Sequence, residues 1–182
     1  MAVVRNKQID VLFSASAIAR RNLELAREIA SKDYENLLVI SVLKGSFIFA
    51  ADLIRAMHDV DLEPEVEFMM LSTYREGTTA GEVVLVRDID SDVAGRDVIL
   101  IDDILESGRT LTFARDLMMQ RGARSCGLAV LLDKRVKRDA ATPVDAEFVG
   151  FECPDHFVVG YGMDVAHAFR ELPFVGIVKG DA

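Results

Sequence analysis

The fold can be deduced from one stretch of the sequence, Val98-Ile-Leu-Ile-Asp-Asp-Ile-Leu-Glu-Ser-Gly-Arg-Thr-Leu111. Its first four residues are apolar and mostly β-branched, which predicts a strand buried on both faces, as in a parallel sheet. A short turn rich in small and hydroxyl residues follows. Apolar residues on one face of 111–121 then predict a helix that ends at Gly122. Strand, turn and helix in this order are typical of an α/β protein.

The turn between that strand and helix carries most of the chemistry. The free N–H groups of a helix N-terminus, reached through a tight glycine loop, can converge on a phosphate. Ser107 and Thr110 add hydroxyl donors there, and Arg109 adds positive charge. Asp102 and Asp103, at the predicted strand end, instead suit sugar hydroxyls or Mg²⁺. The turn therefore predicts a sugar-phosphate site; the alternative is a pair of acids that only favours the helix dipole.

Strands and helices alternate through the middle of the chain. Strands are predicted at 37–43, 66–74, 83–86, 98–101 and 127–132, and helices at 14–32, 47–57 and 111–121. Three short pieces follow, at 148–151, 157–160 and 175–178, and suggest a small accessory layer over the strand ends. We expect an α/β fold with a mostly parallel twisted sheet flanked by helices, which binds its ligand at the carboxyl ends of the strands.

Composition limits the class of protein. A chain of 182 residues is expected to form a single domain over 1–182. Its net charge of −9 argues against broad nucleic-acid or anionic-membrane binding. Cys126 and Cys153 make no disulfide framework, and neither a signal peptide nor an apolar stretch of membrane-spanning length is found. We therefore expect a cytoplasmic protein.

Several common enzyme motifs are missing from the sequence. The three histidines and two cysteines lack metal-ligand spacing, and no nucleophile elbow, P-loop or dinucleotide-binding turn occurs. These absences exclude the usual hydrolase, ATPase and dehydrogenase assignments. Residues 75–82 are polar and contain two glycines, which predicts a surface loop. A plain connection is the default interpretation of that loop, and a lid is the alternative.

Taken together, the motifs resemble those of the hypoxanthine-guanine phosphoribosyltransferases, especially the bacterial hypoxanthine type, within the type I phosphoribosyltransferase family. The resemblance covers nearly the whole chain. It rests on Val42-Leu-Lys-Gly45, Ser72-Thr-Tyr74, Ile101-Asp-Asp-Ile104, Glu106-Ser-Gly-Arg-Thr110, Leu132-Asp-Lys-Arg135 and Phe157-Val-Val-Gly-Tyr-Gly-Met-Asp164. The last two motifs are typical of purine rather than pyrimidine enzymes.

The resemblance implies a site for phosphoribosyl pyrophosphate (PRPP) and Mg²⁺. The 5′-phosphate would be held by Glu106, Ser107, Gly108, Arg109 and Thr110. Asp102 and Asp103 would hold the ribose hydroxyls and Mg²⁺. The pyrophosphate would meet Leu43, Lys44, Gly45 and Arg170, and the Leu43–Lys44 peptide is a candidate for the cis form.

The same resemblance implies a pocket for the purine base. Lys134 would donate to the 6-oxo group, Phe157 would stack on the base, and the Val158 backbone would read its edge. Asp164 would line this pocket and face a second Mg²⁺. Taken alone, without the resemblance, Phe157 is better interpreted as a core aromatic residue.

The resemblance also bears on architecture and assembly. Thr73 and Tyr74 match the base of the family's closing loop, which favours the lid interpretation of 75–82. The type I phosphoribosyltransferase fold implies an accessory hood formed by about 1–13 and 145–182. A homodimer or homotetramer is implied as well, with PRPP and a 6-oxopurine base as the substrates.

Glu106 departs from the family pattern, which usually has Asp at this position. The family's Asp is the candidate base for the purine N7 proton, so the resemblance implies that role for Glu106, with Lys44 and Arg170 completing the catalytic set. Glu keeps the carboxylate and adds one methylene.

The implied activity is the formation of IMP, and of GMP, from the free base and Mg²⁺-PRPP. One alternative is a relative that prefers xanthine or guanine. The other is a non-catalytic regulator on the same fold, which would bind PRPP or nucleotide and then RNA. A regulator needs a basic face, and the sequence offers one short Lys/Arg cluster at 134–138.

Overall fold

The computed structural model describes residues 2–4, 7–74, 82–138 and 144–179. In chain order its elements are β1 (Ala2–Val4), β2 (Lys7–Phe13), α1 (Ala15–Ala30), β3 (Leu38–Leu43), α2 (Phe47–His58), β4 (Glu65–Tyr74), β5 (Glu82–Arg87), β6 (Asp97–Leu105), α3 (Arg109–Gln120), β7 (Ser125–Asp133), a 3-10 turn (Arg135–Lys137), β8 (Phe148–Glu152), β9 (Val158–Val159) and β10 (Val175–Val178). None of the described helices is both long enough and apolar enough to cross a membrane. Most of the predicted loop 75–82 lies outside the described residues.

The main sheet has six strands in the order β5-β4-β3-β6-β7-β8. All neighbours are parallel except β5, which is antiparallel to β4, so the expected mostly parallel α/β sheet is confirmed. The central strand β6 runs to Leu105, further than the predicted end at Ile101, and Asp102 is still paired with Val130 of β7. The acidic pair therefore lies inside the strand rather than after it, because β6 and β7 stay in register beyond the apolar run.

Residues of β6 alternate between two apolar cores. Ile99 and Ile101 pack in the cluster that contains the buried residues of α1 and α2, whereas Val98 and Leu100 pack in the cluster that contains those of α3. All four side chains are fully buried, which confirms the prediction of a strand covered on both faces. Covering both faces with helices is the arrangement that parallel strands require.

Local signals also placed the helices correctly. The Ser14 hydroxyl accepts a hydrogen bond from the Ala17 N–H at 3.2 Å and caps α1. The buried residues of α1 are spaced three or four apart along one face, and they include the polar Asn22. Gly122, predicted to follow the end of the helix, has a φ of +88° just after α3, which is the left-handed geometry of a glycine C-terminal cap.

The second sheet is antiparallel, with the order β1-β2-β10-β9, and joins the first and last strands of the described chain. It corresponds to the predicted accessory layer, with one correction. The piece predicted at 148–151 is β8, which pairs in parallel with β7 in the main sheet. Phe148 of this strand is buried in the core against α1 and α2, so its apolar content serves the main sheet rather than the hood.

Tyr161 ties the loop after β9 to the helical layer. Its hydroxyl donates to Asp52 Oδ2 of α2 at 2.6 Å and accepts from Asn22 Nδ2 of α1 at 2.9 Å. Burial, and then the bond to Asp52, raise the pKa of Tyr161. The phenol therefore stays protonated and keeps donating to the carboxylate at any ordinary pH.

Asp97 performs a similar anchoring function at the amino end of the central strand β6. Its carboxylate accepts from the Glu35 N–H at 2.7 Å, from the Ser125 hydroxyl at 2.6 Å and from the Arg124 guanidinium. Burial alone would raise the pKa of Asp97, but these hydrogen bonds outweigh it and lower the pKa to about 2.

We expect Asp97→Asn to lower the free energy of unfolding by about 2 kcal/mol at pH 7, since a depressed pKa in the folded state stabilises above the unfolded pKa. This contribution is complete at neutral pH, begins to fall near pH 4, and is lost as the pH drops through about 2. Urea unfolding of both proteins at pH 7, 5 and 3 measures it. A stability difference that stays constant between pH 7 and pH 3 would contradict the assignment.

Candidate active site

The carboxyl ends of β3, β6 and β7 open into a cavity of about 400 Å³. Its walls are formed by Leu43, Lys44, Gly45, Met70, Leu71, Asp103, Ile104, Glu106, Lys134, Phe157, Val158, Met163, Asp164 and Arg170. These include every residue that the resemblance implied for pyrophosphate and for the purine. The cavity therefore brings together side chains that are far apart in the sequence.

A second cavity of about 260 Å³ lies against the turn between β6 and α3 and shares Asp103, Ile104 and Glu106 with the first. It is lined by the predicted phosphate residues Glu106, Ser107, Gly108 and Thr110, together with Asp102. Gly108, with a φ of +87°, precedes Arg109, the first residue of α3. The turn thus presents a helix N-terminus to a polar cavity, which is the arrangement that binds phosphate.

Asp102 and Asp103 are the adjacent carboxylates of the site, and Asp102 is buried whereas Asp103 is partly exposed to both cavities. Burial raises the pKa of Asp102 well above its ordinary value, and the charge of Asp103 adds to that effect. Burial also raises the pKa of Asp103, while the charge of Arg170 acts in the opposite direction. Two adjacent carboxylates whose charged forms are disfavoured in this way favour the approach of a cation.

The donor set suits Mg²⁺ in a particular way. Among the described residues, no three His, Cys, Asp or Glu side chains come together as a metal cluster. Mg²⁺ at phosphate-transfer sites is usually held by one or two carboxylates, with waters and substrate oxygens filling the other positions. Asp102 and Asp103 fit that mode of binding, and they do not fit a resident all-protein metal centre.

Glu106 and Lys134 face each other between the two cavities. Lys134 Nζ donates to Glu106 Oε1 at 2.6 Å, and the Lys134 side chain is 6% exposed whereas that of Glu106 is 47% exposed. A buried ammonium needs a partner, and this carboxylate provides it. The pair presents a hydrogen-bond donor beside an acceptor on the cavity wall.

Arg170 and Asp164 are linked to each other. Arg170 Nη2 lies 2.6 Å from Asp164 Oδ1, and Arg170 Nη1 donates to the Gly162 carbonyl at 2.6 Å. The other Asp164 oxygen accepts from the His167 N–H at 2.8 Å. Both side chains line the large cavity, and their implied roles toward pyrophosphate and Mg²⁺ stay predictions.

The loop that carries Lys44 packs closely against its neighbours. The Leu43–Lys44 peptide is cis, and the Lys44 side chain is exposed at the cavity. A Cβ on Gly45 would overlap the Asp103 carboxylate, and a Cβ on Gly162, whose φ is +102°, would overlap the Gly45 carbonyl. Glycine at both positions is therefore what lets this loop approach β6 and the loop after β9.

Phe157 is 62% exposed at the rim of the large cavity. The interpretation of this residue as a core aromatic is therefore wrong, and its position suits stacking on a flat ligand. The next residue, Val158, pairs with Ile177 of β10, which holds the backbone beside Phe157 in place. Thr73 is exposed and Tyr74 ends β4; the loop that follows them begins outside the described residues.

Sequence reasoning missed two groups of residues. The apolar wall of the cavity includes Met70, Leu71, Ile104 and Met163, which the sequence could not distinguish from core residues. The partners of the basic cluster at 134–138 were not predicted: Lys134 was assigned to the purine, and the rest was weighed only as the basic face that a regulator would need. Each of its four cations instead contacts an acid: Lys134 contacts Glu106, Arg135 and Arg138 contact Asp133, and Lys137 contacts Asp155.

Comparison with known proteins identifies relatives of this arrangement. The family model for the phosphoribosyl transferase domain matches residues 8–166. A hypoxanthine-guanine phosphoribosyltransferase of Streptococcus mutans is 41% identical over 174 residues, which cover 94% of this chain and 93% of that protein. The bifunctional protein TilS/HprT of Listeria innocua is 44% identical over 172 residues, and there the match spans 93% of this chain but only 26% of the longer protein.

Solved structures show the same similarity. A hypoxanthine-guanine phosphoribosyltransferase of Bacillus anthracis superimposes with a TM-score of 0.86 at 40% identity, covering 94% of this chain and 99% of that one. A hypoxanthine phosphoribosyltransferase of Staphylococcus aureus gives a TM-score of 0.86 at 37% identity, covering 93% and 91%.

We expect Gly45→Ala to weaken binding of Mg²⁺-pyrophosphate by at least about tenfold, because the new methyl group displaces the Asp103 carboxylate from the cavity. Isothermal titration calorimetry measures the affinity. Gly127→Ala is the matched control, since a Cβ there would come no closer than 3.8 Å to its nearest neighbour. Unchanged pyrophosphate affinity in a folded Gly45→Ala protein would show that this close approach has no part in ligand binding.

Proposed function

The chain belongs to the phosphoribosyl transferase family, in its hypoxanthine-guanine branch, and we infer from this that it transfers the 5-phosphoribosyl group of PRPP to N9 of hypoxanthine and of guanine. The products are IMP or GMP and pyrophosphate, which is a purine salvage reaction. Two supporting facts are independent of each other: the similarity covers nearly the whole of several single-function relatives, and the cavities combine the features that both substrates need.

The observation that carries the proposal is the ion pair between Lys134, which lines the large cavity, and Glu106, which lines both cavities. A 6-oxopurine carries an acceptor, O6, next to N7, which bears a proton when N9 is the nucleophile. Lys134 can donate to O6 while Glu106 accepts from N7–H. The ribose phosphate would then extend into the smaller cavity, toward the N-terminus of α3.

Transfer breaks the bond between C1′ of the ribose and the pyrophosphate oxygen and forms a bond from C1′ to N9. Positive charge develops on the ribose and negative charge on the leaving group. Lys44 and Arg170 line the cavity where the pyrophosphate would lie, and both would stabilise that negative charge. Mg²⁺, held by Asp102 and Asp103, would supply further positive charge there. Glu106 would hold and then remove the N7 proton as N9 becomes bonded.

The proposal also covers domain organisation, location and assembly. We propose one domain over 1–182, a cytoplasmic location, and a homodimer or homotetramer; Thr73 and Tyr74 would form the base of a closing lid. Water competes with the purine for the activated ribose, so a lid would favour transfer over hydrolysis.

A regulator that binds RNA is disfavoured by the electrostatics of the basic cluster. Its four cations each contact an acid of the same chain, and the net charge is −9. Cations engaged in this way are poor candidates for a phosphate-backbone footprint, which needs a free basic surface.

The proposed function is tested by pyrophosphate release from PRPP and Mg²⁺ with hypoxanthine, guanine, xanthine, adenine and uracil in parallel. We expect turnover with hypoxanthine and guanine. Turnover with xanthine as the best substrate would shift the assignment within the family. PRPP binding without turnover of any base would instead support the regulator.

We expect Glu106→Gln to lower kcat by about 10²- to 10⁴-fold and to change PRPP affinity little, because Gln retains an acceptor for Lys134 but cannot remove a proton. Steady-state kinetics and PRPP titration measure the two effects. Glu106→Asp, which restores the family's usual residue, is the matched control and should retain most of the activity. Equal losses of turnover and of PRPP affinity in Glu106→Gln would contradict the role as a base.

We expect Lys134→Ala to reduce the preference for hypoxanthine over adenine by at least about tenfold, since the ammonium donates to an oxo acceptor and would meet another donor in an amino group. The ratio of kcat/KM for the two bases is the measurement. Lys137→Ala, which removes a neighbouring half-exposed lysine paired with Asp155, is the control. An unchanged ratio in Lys134→Ala would show that another group selects the 6-substituent of the purine.

A further inference from the structure

Asp133, the last residue of β7, is a buried carboxylate that the transfer reaction does not use. Its side chain is 2% exposed, and it does not line the large cavity. Arg138 Nη2 donates to one of its oxygens at 2.5 Å, and Arg135 Nε donates to the other at 3.2 Å. A carboxylate this deeply buried is costly unless it is paired. The two guanidiniums offset that cost, but they do not explain why a carboxylate occupies this position.

Arg138 explains what the buried acid is for. The Arg138 side chain is 15% exposed, and its other terminal nitrogen, Nη1, donates to the Glu106 carbonyl oxygen at 3.3 Å. One guanidinium therefore spans from the end of β7 to the turn after β6. Arginine can do this because its donors form a planar fork, whereas a lysine ammonium is a single point charge.

Glu106 is consequently held at two atoms. Arg138 contacts its carbonyl oxygen, and Lys134 contacts its carboxylate at 2.6 Å. Lys134 is itself tied to the same turn, because its N–H donates to the Leu105 carbonyl at 2.9 Å. The side chain that would take the N7 proton and the one that would bind O6 are thus fixed relative to each other.

We propose that the Asp133–Arg138 pair is a positioning device for Glu106: Asp133 orients the Arg138 guanidinium, and Arg138 holds the Glu106 peptide so that its carboxylate faces N7 of the purine. Arg138 lines neither of the two cavities, so it would act through Glu106. The inference rests on the proposed function, since it assigns a support to the proposed base.

Arg138→Gln is the first test, and Arg135→Gln is its matched control. Both remove a cation from Asp133, but only Arg138 reaches Glu106. We expect Arg138→Gln to lower kcat for hypoxanthine by about 10- to 100-fold with the KM for PRPP changed less than about threefold, because a misplaced base slows chemistry without weakening phosphate binding. Arg135→Gln should change both constants less than about twofold.

The second test asks whether the effect passes through Glu106. In a Glu106→Gln background, adding Arg138→Gln should lower kcat by less than about twofold, since the base it positions has already been lost. Arg138→Lys should recover the unfolding temperature but not kcat, because one charge suffices for Asp133 whereas the bridge uses two separate nitrogens of a planar guanidinium. If Arg138→Gln does not fold, the double variant Asp133→Asn/Arg138→Gln is measured instead, because it leaves no unpaired carboxylate at position 133.

Three results would overturn the inference: wild-type kcat in the folded Arg138→Gln protein, an equal loss in Arg135→Gln, or a full additional loss in the Glu106→Gln background. Each of these requires an active wild-type enzyme. A wild-type protein that turns over no 6-oxopurine would count against the proposed function, so the two failures are distinguishable.

Discussion

Parallel pairing of β3, β6 and β7 is the constraint on which the site depends. Parallel strands end at the same edge of a sheet, so residues from distant parts of the sequence become neighbours there. Ile101 of β6 is in register with Ser41 of β3 on one side and with Ala129 of β7 on the other. The turn at 43–45, Asp103 and Lys134 consequently meet in one cavity. Burial of β6 on both faces prevents any slip that would separate them.

That edge of the sheet holds groups that weaken the fold when no ligand is bound. Burial raises the pKa values of Asp102 and Asp103, which means that the folded protein disfavours their charged forms. At the amino end of β6 the pKa of Asp97 is instead lowered to about 2, because three groups donate hydrogen bonds to its carboxylate. An aspartate thus anchors the sheet where several protein groups donate hydrogen bonds to it, and it forms a cation site where such donors are few.

Local patterns in the sequence were sufficient for the core elements. The apolar run of β6 and the glycine after α3 act over a few residues, and both were predicted correctly. The membership of β8 in the main sheet was not, because five residues that alternate in burial suit either sheet equally well. The partners of the basic cluster were missed for a related reason. The contact from Arg138 to the Glu106 carbonyl joins residues 32 positions apart, and no periodicity records such a contact.

Glu106 shows how such contacts make a departure from the family pattern workable. An extra methylene adds a rotatable bond, and fixing that bond costs conformational entropy. The carboxylate is nevertheless directed by buried Lys134, and the peptide behind it by Arg138. On the proposed assignment, Lys134 and Glu106 present a donor and an acceptor to the adjacent O6 and N7–H of a 6-oxopurine. Adenine would place a donor against the lysine, and a pyrimidine has no N7 to meet the carboxylate. Selectivity for the base would therefore arise from the same ion pair that holds the longer side chain in place.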